Sequence, residues 1–248
     1  MASDILVKQL DIIDSTNRYV RDEASTLWAD GYNAVAVTAK HQTSGRGQRR
    51  NVWSSEYGVN LLLSLLVRPG MSLEVANQFR LSQTVALAVC AAMRCYGIDA
   101  RLKWPNDIYV GERKLAGILI ELDYSGAFVE QAIIGVGLNV NQTDFPLMER
   151  VPVSMRMLLG REFVVDDVLD TFIDCFSNYY GRMKINSGCV EAEYRELLLG
   201  LGEKRSFVDA DGSFEAVIEG VAPVGHLLLR HIDGKLSRYA FKEVEMLI

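Results

Sequence analysis

Four short stretches of this chain carry the residue types best suited to chemistry. The first, Thr43-Ser-Gly-Arg-Gly-Gln-Arg-Arg-Asn-Val-Trp53, sets two glycines, three arginines and a tryptophan within eleven residues. Glycine at 45 and 47 lets backbone N–H groups approach a ligand closely, because no Cβ intervenes. Arg46, Arg49 and Arg50 add forked, permanently charged donors that match carboxylate and phosphate oxygens. The stretch reads as a loop folding over an anion, with Trp53 able to lie flat over an aromatic base. The second stretch is Lys103-Trp-Pro-Asn-Asp107 and the third Arg113-Lys-Leu-Ala-Gly117, with Lys103 and Lys114 eleven positions apart across an expected hairpin. Strand alternation then sets both ammoniums beside one pocket, where positioned cations neutralise charge developing on a phosphoryl group. The fourth, Gly135-Val-Gly-Leu-Asn139, places two glycines in a strand, where bare backbone permits the close approach of a ligand.

Taken singly, each has a plainer reading. Gly45-Arg-Gly47 serves as a tight turn, Trp104-Pro105 as a strand end, Lys114 as a solvated hairpin residue, and Gly135 and Gly137 as a packing device. Ser15, Thr16 and Asn17 are more often a helix cap than a binding site, and Gln42 alone carries no signal.

The elements that must position these residues follow from periodicity. Residues 5 to 13 alternate as a strand, and Asp14-Ser-Thr-Asn17 supplies capping side chains for a helix running toward Ala29. Ala34 to Ala39 and Asn60 to Val67 read as buried strands flanking the glycine and arginine loop. Ser72 caps a helical pattern that Gly97 ends, and Arg101 to Lys103, Asp107 to Val110, Leu115 to Leu122 and Val129 to Asn141 form an antiparallel meander. Helices follow over Val153 to Leu159, Val165 to Lys184 and Cys189 to Leu199. After Gly200-Leu-Gly202 the pattern is purely strand and turn through Phe241. The expectation is an α+β fold: a catalytic domain over residues 1–200 with a mixed or antiparallel sheet and packed helices, then a small β domain over residues 201–248 that docks on it.

Bulk properties narrow the function. The chain has 248 residues and a net charge of −6, which weighs against general nucleic-acid binding. Its short apolar runs do not span a bilayer. Acidic residues interrupt the first thirty positions, so no export signal is read and the expected location is cytoplasmic. Cys90, Cys95, Cys175 and Cys189 lack Cys-x-x-Cys spacing, which predicts reduced thiols, and His41, His226 and His231 show no metal-ligand spacing.

Together, the order and spacing of the four stretches resemble the biotin protein ligases. That family shows Gly-Arg-Gly-x-Arg-Gly followed by Trp, then Lys-Trp-Pro-Asn-Asp, Lys-Leu-Ala-Gly-Ile-Leu-x-Glu and Ile-Gly-x-Gly-x-Asn. Here stand Gly45 to Arg49 with Trp53, Lys103 to Asp107, Lys114 to Glu121 and Ile134 to Asn139. The resemblance implies a class II synthetase-like catalytic domain followed by an SH3-like β-barrel. It implies that ATP, with Mg²⁺, activates biotin to biotinoyl-AMP, and that biotin then passes to a lysine of a biotin carboxyl carrier protein. By the same resemblance, Ser15, Thr16 and Gln42 bind the ureido ring, and Gly45, Arg46, Gly117, Gly135 and Gly137 line the vitamin. Arg46 and Lys114 hold its carboxylate and the α-phosphate, Lys103 and Arg49 contact phosphate, and Trp53, Asn106 and Asn139 serve the nucleotide. Asp107 sits near the incoming lysine.

Three loop positions depart from the pattern: Gln48, Arg50, which replaces the second loop glycine, and Asn51. Near the end, Phe241-Lys-Glu-Val-Glu245 stands where many members have a Gly-Glu-Val turn. No helix-turn-helix pattern precedes Ile5, so no DNA partner is expected. Two other readings share the scaffold, a non-catalytic sensor of biotin or its adenylate and a lipoate-type ligase. Strand edges near Val129 to Asn141 are candidates for pairing two subunits.

Overall fold

A computed structural model describes residues 5–28, 31–32, 34–48, 51–146 and 150–247. The chain runs through β1 (Ile5–Ile13), α1 (Thr16–Asp22), α2 (Ala24–Leu27), β2 (Ala34–Gln42), β3 (Leu61–Val67), α3 (Phe79–Cys95), β4 (Arg101–Lys103), β5 (Asp107–Val110), β6 (Arg113–Ser125) and β7 (Phe128–Leu138). These strands make one mixed sheet in the order β1-β2-β3-β7-β6-β5-β4, parallel between β1 and β2 and antiparallel at every other junction. Alternation along β2 splits the apolar surface in two. Ala34 and Ala36 face a large core shared with α3, α5 (Val165–Ile185) and α6 (Ser187–Glu196), whereas Val35 and Val37 face a smaller core under α1 and α2.

Several boundaries moved for identifiable reasons. Ser72 caps no helix: its hydroxyl donates to Pro69 O at 2.5 Å within a short 3₁₀ turn, and α3 begins at Phe79. The backbone between is drawn to the turn joining β6 and β7, where Val75 N donates to Ala127 O and Val129 N to Leu73 O, both at 2.9 Å. The first helix breaks at Glu23, and Ser15 at its start makes no side-chain cap bond. The α4 helix (Met155–Leu159) is properly capped, with Ser154 accepting from Met157 N. The proposed pairing edge at Val129 to Asn141 is corrected: β7 lies inside the sheet between β3 and β6, and the outer strands are β1 and β4. No helix among the described residues is long and apolar enough to cross a membrane.

After residue 203 come β8 (Lys204–Asp209), β9 (Gly212–Val221), β10 (Leu227–His231), β11 (Leu236–Tyr239) and β12 (Glu245–Met246), an antiparallel sheet ordered β11-β10-β9-β8-β12. It is welded to the first part. Trp104 Nε1 donates to Gly225 O at 2.9 Å, and the Phe241 ring packs on Trp104 and Phe79 with centroids 5.4 and 6.0 Å apart. Phe207, Ile218, Leu229 and Val244 are buried in the same core as α3, so both sheets share one apolar interior.

Strand β12 was missed because the turn before it is built from unusual residues. Lys242 adopts φ of +78°, the left-handed region that suits glycine, at the position where the related motif has Gly. Glu243 steadies the turn by accepting from Ala240 N at 2.7 Å. Lys242→Gly relieves that conformation and is expected to raise stability by about 1 kcal/mol, read as an increased midpoint of urea unfolding.

Candidate active site

The site is founded on one register. Leu62 pairs with Gly137, Gly137 with Gly117, Gly117 with Asp107 and Asp107 with Lys103, a single rung across β3, β7, β6, β5 and β4. Directly paired residues project to the same face. Asp107 and Lys103 therefore stand at the end of a floor made bare by the two glycines. A parallel rung joins Ser64, Gly135 and Leu119. The expected meander thus brings Lys103 and Lys114 to one cleft, together with Ser15, Thr16, Gln42, Arg46 and Trp53.

Protein groups fill the space that the glycines leave. A Cβ on Gly137 would run into the Trp53 indole, one on Gly117 would meet it at 3.2 Å, and one on Gly135 would lie 2.5 Å from Asn17 Oδ1. Trp53 lies across the floor, with Lys114 Nζ 5.7 Å from its ring centre. The loop reaches there because Trp53 N donates to Gly45 O at 3.0 Å and Gly47 N to Asn51 O at 2.8 Å. A side chain on Gly45 would collide with the Trp53 carbonyl, so this glycine serves the loop's own backbone and does not line the cleft.

One end of the cleft is neutral and polar. Gln42 Oε1 accepts from Thr16 N at 2.7 Å and Thr16 Oγ1 at 3.1 Å, and the Ser64 hydroxyl lies 2.8 Å from Thr16 Oγ1 and 2.6 Å from Asn17 Oδ1. Asn17 Nδ2 donates to Glu121 Oε2 at 3.2 Å. Arg46 also turns to Glu121, at 3.5 Å, from a half-exposed position.

The other end is charged. Asp107, only 4% exposed, is held on one oxygen by Lys114 Nζ and on the other by Arg150, each at 2.7 Å. Arg150 in turn pairs with Glu245 of β12. Lys103, also 4% exposed, has no carboxylate within ion-pair range among the described residues and rests 5.6 Å from the Tyr109 ring centre. Burial, seconded by the nearby Arg150 charge, pulls its ammonium down to about 8.

Two predicted nucleotide contacts serve the scaffold. Asn106 Nδ2 donates to Ile118 O at 2.6 Å, and Asn139 Nδ2 donates to Val153 O at 3.1 Å, fastening the segment after β7. Asn106 lines the cleft and Asn139 does not. Arg49 and Arg50 lie outside the described residues. Sequence reasoning missed Ser64, Arg150 and Glu245 and read Asn17 only as a cap. A hydroxyl inside the run Leu61-Leu-Leu-Ser-Leu-Leu-Val67 was the one legible signal among them.

Residues 10–139, which hold all four motif stretches, match the biotin/lipoate A/B protein ligase family. The chain belongs to the biotin/lipoate protein ligases. Among its ligase relatives, the bifunctional ligase/repressor BirA of Bacillus subtilis is 31% identical over 235 residues, covering 93% of this chain and 71% of that protein. The biotin--[acetyl-CoA-carboxylase] ligase of Paracoccus denitrificans is likewise 31% identical over 235 residues, covering 90% of this chain and 93% of its own. The biotin protein ligase from Aquifex aeolicus in complex with biotin and ATP superposes with a TM-score of 0.81 at 25% identity, over 98% of both chains. Such ligases share the mixed sheet with packed helices and the antiparallel sheet that follows.

Gly137→Ala would drive the Trp53 indole off the floor; a red-shifted tryptophan emission and a loss of about 1–3 kcal/mol are expected. Lys103 sets a second expectation. Its folded pKa of about 8 lies below the unfolded value, so between these two pH values the unfolded chain binds more protons and stability climbs as pH rises. Lys103→Met is therefore expected to stabilise the protein by a few kcal/mol at pH 7, a gain that shrinks as pH rises through 8 toward 10.5 in urea unfolding.

Proposed function

We propose that the chain activates biotin with ATP, releasing pyrophosphate, and transfers the biotinoyl group to a lysine of a biotin carboxyl carrier protein. The observation that carries this reading is the rung that sets Asp107 and Lys103 at the end of a glycine floor, beneath Trp53 and beside Lys114. Residues 1–200 would form the catalytic unit and 201–248 the β unit that closes its charged end through Glu245.

A carboxylate is a poor acyl donor. In the first step a biotin carboxylate oxygen attacks the α-phosphorus of ATP, forming the mixed anhydride biotinoyl-AMP as the bond to pyrophosphate breaks. Lys103, Lys114 and Arg46 are the cations placed to hold the carboxylate and phosphoryl oxygens, removing the repulsion between two anions. Mg²⁺ accompanies the nucleotide as part of the substrate and shares the charge of the departing pyrophosphate; among the described residues no His, Cys, Asp or Glu cluster could hold a metal. In the second step a carrier lysine amine attacks the acyl carbon and AMP departs. A free lysine with a pKa of about 10.4 is mostly protonated at neutral pH, so Asp107 orients it and takes up its proton. Trp53 and the loop behind it screen the anhydride from water.

The neutral end favours biotin over lipoate. Ser15, Thr16, Gln42 and Asn17, the last two steadied by their neighbours Thr16 and Ser64, offer donors and acceptors that match a cyclic urea, whereas a dithiolane ring has no strong hydrogen-bonding group.

The protein mixed with ATP, Mg²⁺, biotin and a carrier domain should add the mass of one biotin to the carrier's lysine, and lipoate should not substitute. Lys114→Ala and Arg46→Gly are each expected to slow biotin-dependent pyrophosphate release by about 10²- to 10³-fold. Transfer at the parent rate by either variant would remove its assigned role, and a parent that binds biotin without releasing pyrophosphate would be a sensor.

A further inference from the structure

Arg150 belongs to none of the four motif stretches, yet it is the hub of the charged end of the cleft. Its guanidinium holds one Asp107 oxygen at 2.7 Å and also pairs with Glu245, while Lys114 holds the other Asp107 oxygen at 2.7 Å. With both oxygens taken and only 4% of its surface exposed, Asp107 is not available to an incoming amine. Asp107 must therefore shed a cation before the transfer step.

The backbone beside Arg150 is fixed, and its side chain is not enclosed. Lys114 N donates to Val151 O at 2.8 Å and Val153 N to Lys114 O at 2.9 Å, which pins the following segment against β6. The Arg150 side chain is 37% exposed and borders the cleft. Among the described residues, Lys103, Lys114 and Arg150 outnumber Asp107 and Glu245 there, an excess of positive charge. A polyphosphate presents more charge and more oxygens to a planar fork than one carboxylate does.

Building on the ligase reading, we infer that Arg150 is a further substrate-binding residue: it exchanges Asp107 for phosphate oxygens of ATP and so frees Asp107 for the acceptor amine. Glu245 competes with the nucleotide for the same guanidinium, which couples β12 to occupancy of the cleft.

The test is direct titration with ATP and Mg²⁺, beside biotin binding alone, in the parent and in Arg150→Gln, Arg150→Lys and Glu245→Gln, with melting curves to establish folding. Arg150→Gln should weaken ATP binding by about tenfold or more while biotin affinity stays within about twofold, and Arg150→Lys should recover part of the loss. Glu245→Gln should tighten ATP binding, because it removes the competing carboxylate. A purely structural ion pair predicts that Arg150→Gln and Glu245→Gln shift binding in the same direction, and that result overturns the inference, as does unchanged ATP binding in Arg150→Gln. Turnover is scored separately: a parent that binds ATP but releases no pyrophosphate defeats the ligase reading, while the titrations still decide the part played by Arg150.

Discussion

The structure depends on two glycines lying face to face. A sheet rung normally carries a side chain at every position, and those side chains fill the space above it. At Gly117 and Gly137 no side chain rises from the sheet, and Trp53 lies in the space left above them. The functional groups follow from that vacancy: the same rung sets Asp107 and Lys103 at its end, and the neighbouring rung admits Asn17 over Gly135. Register is the agent, since a slip of one residue in β6 or β7 would turn these positions to the opposite face.

The charged end shows why such a site is costly to maintain. Lys103 is buried without an ion-pair partner among the described residues, and Asp107 is enclosed by two cations. Buried charges of this kind weaken a fold unless their partners satisfy them. An anion that bound beside such a lysine would offset part of that cost. The second sheet takes part in this balance, because Glu245 anchors the arginine that closes on Asp107.

Much of this was legible in the sequence, for physical reasons. Alternation and apolar runs located β1, β2, β3 and the meander, and glycine spacing marked the bare backbone of β6 and β7. The sequence did not reveal what fills that bare space. Gly135 and Gly137 do line the cleft, and the unseen part was that Asn17 and Trp53 pack against them. Ser72 and Ser15 looked like caps because local preference favours that use, but long-range pairing with residues 127 and 129 drew away the backbone after Ser72, and the Ser15 side chain makes no cap bond. Arg150 and Glu245 carried no local signal, since their meaning comes from contact with residues 43 and 95 positions away. Strand β12 hid behind Lys242, a residue that sequence rules do not place at positive φ.

The cleft draws its walls from Ser15 at one extreme and Met246 at the other. During synthesis on a ribosome the polar end emerges early, while the charged end waits for β12, which pairs with β8 through Glu245↔Val208 and Met246↔Phe207. Contacts of such wide sequence separation form late in folding. A nascent chain therefore carries an unfinished, open-ended cleft until β12 has left the exit tunnel, so the two ends of the cleft are assembled at different times.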